Sequence, residues 1–93
     1  MCKAVNLRSE GYDIYIGRAG RGKSGEFGNP FVVGRDGEHG ECVRLFAAWF
    51  HSDEGASMRA LVDARIKKGD RLGCFCKPSA CHGDIIAAYV NSK

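Results

Sequence analysis

The sequence predicts a small α/β or α+β domain, because strand-like and helix-like segments both occur within 93 residues. Short runs of aromatic and β-branched residues, bounded by glycine and polar turns, indicate strands. Apolar residues that recur at three- and four-residue spacing indicate amphipathic helices. The predicted order is β-β-β-α-α-β-α, in which helices flank a short mixed sheet.

Three strands are expected before the first helix, at residues 4–7, 12–16 and 31–33. A long glycine-rich loop at residues 17–30 separates the second strand from the third. Helices follow at about residues 40–51, from residue 56 to before residue 69, and up to about residue 91. The remaining strand, residues 71–76, is placed in the middle of the sheet because helices flank it on both sides.

Composition and charge narrow the class of protein. The length predicts one domain over residues 1–93, and the net charge of +3 is modest for a dedicated duplex-binding protein. The sequence lacks the roughly 20-residue apolar run that a membrane-spanning helix needs, so we expect a cytoplasmic protein without a membrane partner. The five cysteines are unevenly spaced, which favours reduced thiols, and Cys2 and Cys42 receive no functional role.

The segment from Cys74 to Asp84 concentrates cysteine, histidine and an acid at one point. Alternate residues of a strand face the same way, so Cys74 and Cys76 are expected on one side and Phe75 on the other. Cys81 then reaches the start of the last helix, where unpaired backbone N–H groups favour negative charge. The segment is therefore the first candidate for a functional site.

Two chemical interpretations and one structural interpretation of this segment stay open. The first is a Zn²⁺ site formed by Cys74, Cys76, Cys81 and His82, although one residue between the first two cysteines is fewer than zinc sites usually have.

The second interpretation makes Cys81 a catalytic or redox thiol whose pKa the helix start lowers. Its base would be His82, oriented by Asp84, or else His39 or His51. In the structural interpretation, the cysteines fill the core while His82 and Asp84 serve the first turn of the helix.

The glycine-rich loop carries a second candidate site. Glycines let backbone N–H groups approach an anion, and arginine and lysine add positive charge, so phosphate is the natural ligand. The loop matches neither a Walker loop nor a dinucleotide fingerprint, and a solvated flexible loop is the alternative. Asn29 either presents its amide to the ligand or caps its own turn. The candidate ligand-binding residues are Arg18, Arg21, Lys23, Ser24 and Asn29.

Four short motifs give the chain a family resemblance. They are Tyr-Ile-Gly-Arg at residues 15–18, Gly-Asn-Pro-Phe at 28–31, Cys-x-Cys-x-Pro at 74–78 and Cys-His-Gly-Asp at 81–84. With these motifs the chain resembles the domain of unknown function 4326, a family found in bacteria and often in their phages. Similar sequences tend to carry tryptophan where Phe75 preserves an aromatic anchor. The resemblance implies that the loop and the cysteine cluster face one pocket, and it implies no particular reaction.

Together these features predict a small cytosolic domain that binds a nucleotide or another phosphorylated ligand beside a Cys/His cluster. If the protein is phage-encoded, its location would be the host cytoplasm. One alternative is a noncatalytic phage module that binds a host protein through a zinc-stabilised fold. Another is a cysteine-dependent enzyme that acts on a nucleotide-like substrate. Nucleic-acid binding, with Trp49 or Tyr12 stacking on bases, ranks lower because Trp49 lies on a core-facing helical stripe.

Overall fold

The computed structural model describes residues 1–18, 25–77 and 79–93. Within these residues the elements are β1 (Lys3–Asn6), β2 (Ile14–Tyr15), α1 (His39–His51), α2 (Ala56–Arg65), β3 (Arg71–Cys74) and α3 (His82–Asn91). A short 3₁₀ turn at Asp53–Gly55 joins α1 to α2. The predicted α+β class is confirmed, and the order of the elements agrees with the prediction apart from the strand expected at residues 31–33.

The described strands form a three-stranded sheet in the order β1-β3-β2. Both outer strands run parallel to β3, with Val5 and Tyr15 each opposite Gly73. The central position of β3 is as predicted, whereas the sheet is parallel instead of mixed. Because parallel strands end at one edge, the chain leaves all three strands on the same side of the molecule.

The predicted strand at residues 31–33 is reduced to a single bridge between Val33 and Gly37. The backbone N–H of Val32 donates to Asp36 Oδ2 at 2.7 Å, so this donor serves a local turn and not a neighbouring strand. Gly34 and Gly37 have φ values of 91° and 142°, which glycine adopts readily in a tight turn.

Opposite faces of the sheet are covered by Tyr12 and by α3. A Cβ atom at Gly73 would lie 2.6 Å from Tyr12 Cγ, so the bare backbone of β3 gives this ring room. On the other face, a Cβ atom at Gly83 would lie 3.0 Å from the Cβ of Ala4. Glycine at both positions therefore lets the flanking segments approach the sheet closely.

The core lies between the sheet and the helices. Phe46 and Phe50 on α1 are both fully buried, and their ring centroids lie 5.4 Å apart. Asn91 at the end of α3 accepts a hydrogen bond from the Cys2 N–H at 2.9 Å and donates one to the Cys2 carbonyl at 2.8 Å. This pairing ties the start of the chain to the last helix and buries Cys2. No helix among the described residues has the length and apolar character needed to cross a membrane.

Candidate functional site

A cavity of about 730 Å³ lies at the edge of the sheet where the strands end. Its wall combines the segment after β1, both ends of the glycine-rich loop, the start of α1 and the end of β3. The polar, sulfur-containing and aromatic residues of this wall are Arg8, Tyr15, Arg18, Asn29, Phe31, His39, Cys42, Cys74, Phe75, Cys76 and His82. The cavity thus brings members of the predicted loop site and of the predicted cysteine cluster into one enclosure.

Backbone hydrogen bonds hold this edge of the sheet together. The Leu7 N–H donates to the Cys74 carbonyl and the Ile16 N–H donates to the Gly73 carbonyl, both at 3.0 Å. Asn6 Nδ2 donates to the Lys77 carbonyl at 2.8 Å, which fixes the turn after β3. The segments that follow all three strands are therefore anchored at the cavity before any ligand arrives.

Two cysteines of the cluster are in direct contact. Cys81 is the N-cap of α3, as predicted, and its sulfur accepts a hydrogen bond from the Gly83 N–H at 3.1 Å. The Cys81 thiol donates to the Cys74 sulfur at 3.2 Å. Cys74 and Cys76 line the cavity, and Cys81 is fully buried next to Cys74.

This contact makes Cys74 the acidic thiol of the pair. The hydrogen bond from Cys81 lowers the pKa of Cys74 to about 6, and the backbone N–H groups of Cys76 and Lys77 add to this effect against the cost of burial. The Cys74 contact and burial raise the pKa of Cys81. The expectation that the helix start would lower the pKa of Cys81 is therefore wrong, since Cys81 is the donor. Burial, followed by the charge on Cys74, raises the pKa of Cys76.

His82 holds the two ends of the glycine-rich loop. Its Nε2 atom lies 2.8 Å from the Ile16 carbonyl oxygen and 3.0 Å from the Phe27 carbonyl oxygen. Because both neighbours are acceptors, Nε2 carries the proton and donates. Burial lowers the pKa of His82, so the ring is neutral. Through Nε2 it acts as a structural donor and not as a base.

Asp84 serves the start of α3. Its Oδ2 atom accepts the Cys81 N–H at 3.0 Å, which completes a capping box, and its Oδ1 atom lies 3.0 Å from Lys77 Nζ. These contacts replace the predicted role of orienting His82. His39, at the start of α1, contacts the Ala80 carbonyl, whereas His51 lies at the far end of α1 and packs edge-to-face on Phe50.

The predicted zinc ligands do not form a metal site as they stand. Among residues 1–18, 25–77 and 79–93, no group of three or more His, Cys, Asp or Glu side chains is arranged to hold a metal ion. The sulfurs of Cys74 and Cys81 share a proton, and Nε2 of His82 faces two carbonyl oxygens. With its proton on Nε2, His82 keeps a lone pair for a metal only on Nδ1, and zinc binding would require the two sulfurs to lose their shared proton. A zinc site at these residues therefore stays a prediction.

Arg18 and Asn29, in the described part of the glycine-rich loop, have different roles. The side chain of Arg18 is exposed and donates to the Phe31 carbonyl at 3.0 Å, which orients its guanidinium at the cavity. The Asn29 side chain donates to the Cys42 carbonyl at 3.2 Å and accepts the Phe31 N–H at 2.9 Å, so it caps its own turn. Arg21, Lys23 and Ser24 lie outside the described residues.

Arg8 and Phe75 are cavity residues that the sequence reasoning missed. The Arg8 guanidinium carbon lies 5.2 Å from the centroid of the Phe75 ring, in a cation–π contact. Phe75 is 52% exposed, so it forms part of the cavity mouth and does not anchor the core as expected. The signal was available, since Phe75 directly follows β3, Arg8 lies two residues after β1, and parallel strands end together.

The family model described as domain of unknown function (DUF4326) matches residues 2–92. This chain belongs to the DUF4326 family. The DUF4326 chain is also 34% identical over 93 residues to an uncharacterized 12.4 kDa protein in the nrdA-td intergenic region of Enterobacteria phage T4. The matched region covers 98% of this chain and 79% of the phage protein. No solved structure matches the DUF4326 chain.

Proposed function

We propose that this chain binds a nucleotide or another small phosphorylated molecule in the cavity at the sheet edge. The observation that supports this most strongly is the composition of the cavity wall. Arg8 and Arg18 contribute positive charge, aromatic rings contribute flat apolar surface, and no acidic side chain occurs among the described residues of the wall. The volume of about 730 Å³ lies in the usual range for small-molecule sites.

The charges are distributed in a way that suits a phosphorylated ligand. Arg8 and Arg18 are exposed, so they lie at the mouth, whereas Cys74 is 1% exposed and lies at the floor. A guanidinium offers several N–H donors in a planar fork that matches phosphate oxygens. The phosphate would bind at the mouth, and the thiolate would face the uncharged part of the ligand.

The aromatic residues favour a ligand with a planar ring. Phe75 lines the cavity and is about half exposed, and the Arg8 guanidinium already packs over the ring. Tyr15 and Phe31 add two further aromatic side chains to the wall. A nucleobase stacks on such surfaces through dispersion and quadrupole interactions, which makes a nucleotide the best match.

Thermal unfolding with AMP, GMP, CMP, UMP and inorganic phosphate tests the proposal. At least one of them should raise the melting temperature of the wild-type chain in a concentration-dependent manner. Arg18→Ala should weaken binding about 10- to 100-fold, because a hydrogen bond to a charged group contributes about 1.5–3 kcal/mol. Lys23→Ala tests the predicted contribution of the loop in the same assay.

Arg44→Ala is the matched control, since Arg44 is an exposed arginine of α1 that does not line the cavity. It should leave binding unchanged. The proposal fails if neither nucleotides nor phosphate shift the melting temperature, or if Arg44→Ala weakens binding as much as Arg18→Ala. A noncatalytic interaction module would then be the better account.

A second candidate is a thiol-dependent enzyme that acts on the same ligand. The low pKa of Cys74 and its place on the cavity wall favour it, because a thiolate is the reactive form of cysteine. Chromatography of each nucleotide after incubation with the protein tests this candidate. Wild-type protein should convert the bound nucleotide, and the Cys74→Ser variant should bind it without conversion. If the wild-type protein leaves a nucleotide unchanged, thiol-dependent catalysis on that nucleotide is excluded.

A further inference from the structure

We infer that Cys74 is a site of reversible oxidation by small hydroperoxides and that Cys81 resolves the oxidised form as an intramolecular disulfide. This inference goes beyond the proposed binding function and needs no bound ligand. Such chemistry would explain why two cysteine sulfurs are in contact at the floor of a cavity.

The first support is the geometry of the two sulfurs. They lie 3.2 Å apart, and a disulfide requires about 2.05 Å, so closure needs a movement of roughly 1 Å. Cys74 is the last residue of β3 and Cys81 is the N-cap of α3, so two regular elements hold the sulfurs in place. Asn6 fixes the turn between them through the Lys77 carbonyl.

The second support is the position of the two cysteines relative to the cavity. Both are almost completely buried, but Cys74 lies on the cavity wall and Cys81 does not, so a small oxidant that enters the cavity meets Cys74 first. Cys81 is fully buried next to Cys74, so its position suits an attack on Cys74 and not on an external molecule. Cys76 also lines the cavity and is half-buried, which makes it the natural control.

The reaction balances in two steps. The Cys74 thiolate attacks the terminal oxygen of a hydroperoxide ROOH, the O–O bond breaks, and RO⁻ takes a proton from solvent to leave as ROH while Cys74 becomes a sulfenic acid. The Cys81 sulfur then attacks the Cys74 sulfur, the S–O bond breaks, and the departing hydroxide leaves as water with the Cys81 proton. The thiol pair loses two electrons to the peroxide, and an external dithiol returns them.

Hydrogen peroxide treatment of the wild-type chain, followed by alkylation and mass spectrometry, tests the inference. We expect two cysteines to escape alkylation, with a combined mass about 2 Da below that of two free thiols, since a disulfide has two hydrogens fewer than two thiols. Treatment with a dithiol should restore their alkylation. Cleavage after Phe75 separates Cys74 from the other two thiols of the cluster. The Cys76→Ser variant should form the same disulfide, which then joins residues 74 and 81 without ambiguity.

The Cys81→Ser variant provides an independent readout, and its serine keeps an N-cap oxygen at the helix start. It should accumulate a sulfenic acid at Cys74 that dimedone traps, and it should form no disulfide at this site. Three results overturn the inference: a disulfide that involves Cys76 or Cys42 in place of Cys81, loss of the disulfide in Cys76→Ser, or no oxidation of Cys74 under conditions that oxidise other thiols of the chain.

Discussion

At the end of β3, Cys74 receives a hydrogen bond from the Cys81 thiol, and the backbone of the next turn offers it two more donors. These contacts favour the thiolate over the thiol, which burial alone would disfavour. The acidity of Cys74 therefore depends on how β3 meets α3 and not on a nearby histidine.

The alkylation rate of Cys74 should follow this pKa. In a Cys76→Ser background, the rate with iodoacetamide should rise with pH and reach half its maximum near pH 6, the pKa of Cys74. An ordinary thiol would do so near about pH 8.5. Cys81→Ala removes the hydrogen bond and should move the midpoint to higher pH. A midpoint above about pH 8 in the Cys76→Ser background would contradict the assigned thiolate.

His82 should make stability depend on pH. Burial lowers its folded pKa, so below about pH 6.5 the unfolded chain takes up a proton that the folded chain does not, and the free energy of unfolding falls. This loss grows as the pH drops from about 6.5 towards the folded pKa. Urea unfolding of His82→Gln should show a weaker pH dependence in this window.

The exposed His51 supplies the control for this comparison. His51→Gln should keep the wild-type pH dependence, and an equal effect of both substitutions would contradict the assigned role of His82. At neutral pH, His82→Ala should lower stability by about 2–4 kcal/mol, because two hydrogen bonds and buried packing are lost.

The sequence located these residues better than it predicted their roles. Cys81 at the start of a helix followed from local signals, since the cap and the apolar stripe of α3 are close in sequence. The partners of His82 are the carbonyls of Ile16 and Phe27, which lie 66 and 55 positions earlier. No local pattern encodes such contacts, so the donor role of His82 required the fold.

The helices were predictable because each carries its own apolar stripe. The helix α1, at His39–His51, begins one residue before the predicted start and ends where expected. The strands were less predictable, since β2 has only two residues and its limits depend on pairing with β3. The segment at 31–33 has strand-like composition, but the Asp36 side chain takes the Val32 donor.

Two glycines in helices should respond oppositely to alanine. Gly83 in α3 lies against Ile16 and Ala4, so Gly83→Ala should lower stability by about 1–3 kcal/mol through overpacking. Gly40 in α1 is exposed with open space around it, so Gly40→Ala should raise stability by about 0.5 kcal/mol. Chemical denaturation measures both. If Gly83→Ala were neutral or stabilising, α3 would not approach the sheet as closely as described.

The parallel sheet explains why distant sequence motifs meet. The Tyr-Ile-Gly-Arg and Gly-Asn-Pro-Phe motifs lie at the two ends of the glycine-rich loop, and the Cys-x-Cys motif begins at the last residue of β3. All reach the edge where the strands end, which is where open parallel sheets commonly place ligands. The shared pocket was expected from the family resemblance. That Arg8 and Phe75 belong to its wall became clear only from the order of the strands in the sheet.

Nuclear magnetic resonance titration of the ¹⁵N-labelled chain with the nucleotide that gives the largest thermal shift tests the shared pocket most directly. We predict that the amide signals of Arg18, Gly28 and Cys74 to Cys76 move along one binding curve, while those of Ala56–Arg65 stay in place. Arg18→Ala should shift this curve to higher ligand concentration. Signal changes confined to α2, or different affinities for the loop and for the end of β3, would contradict a single phosphate-binding cavity.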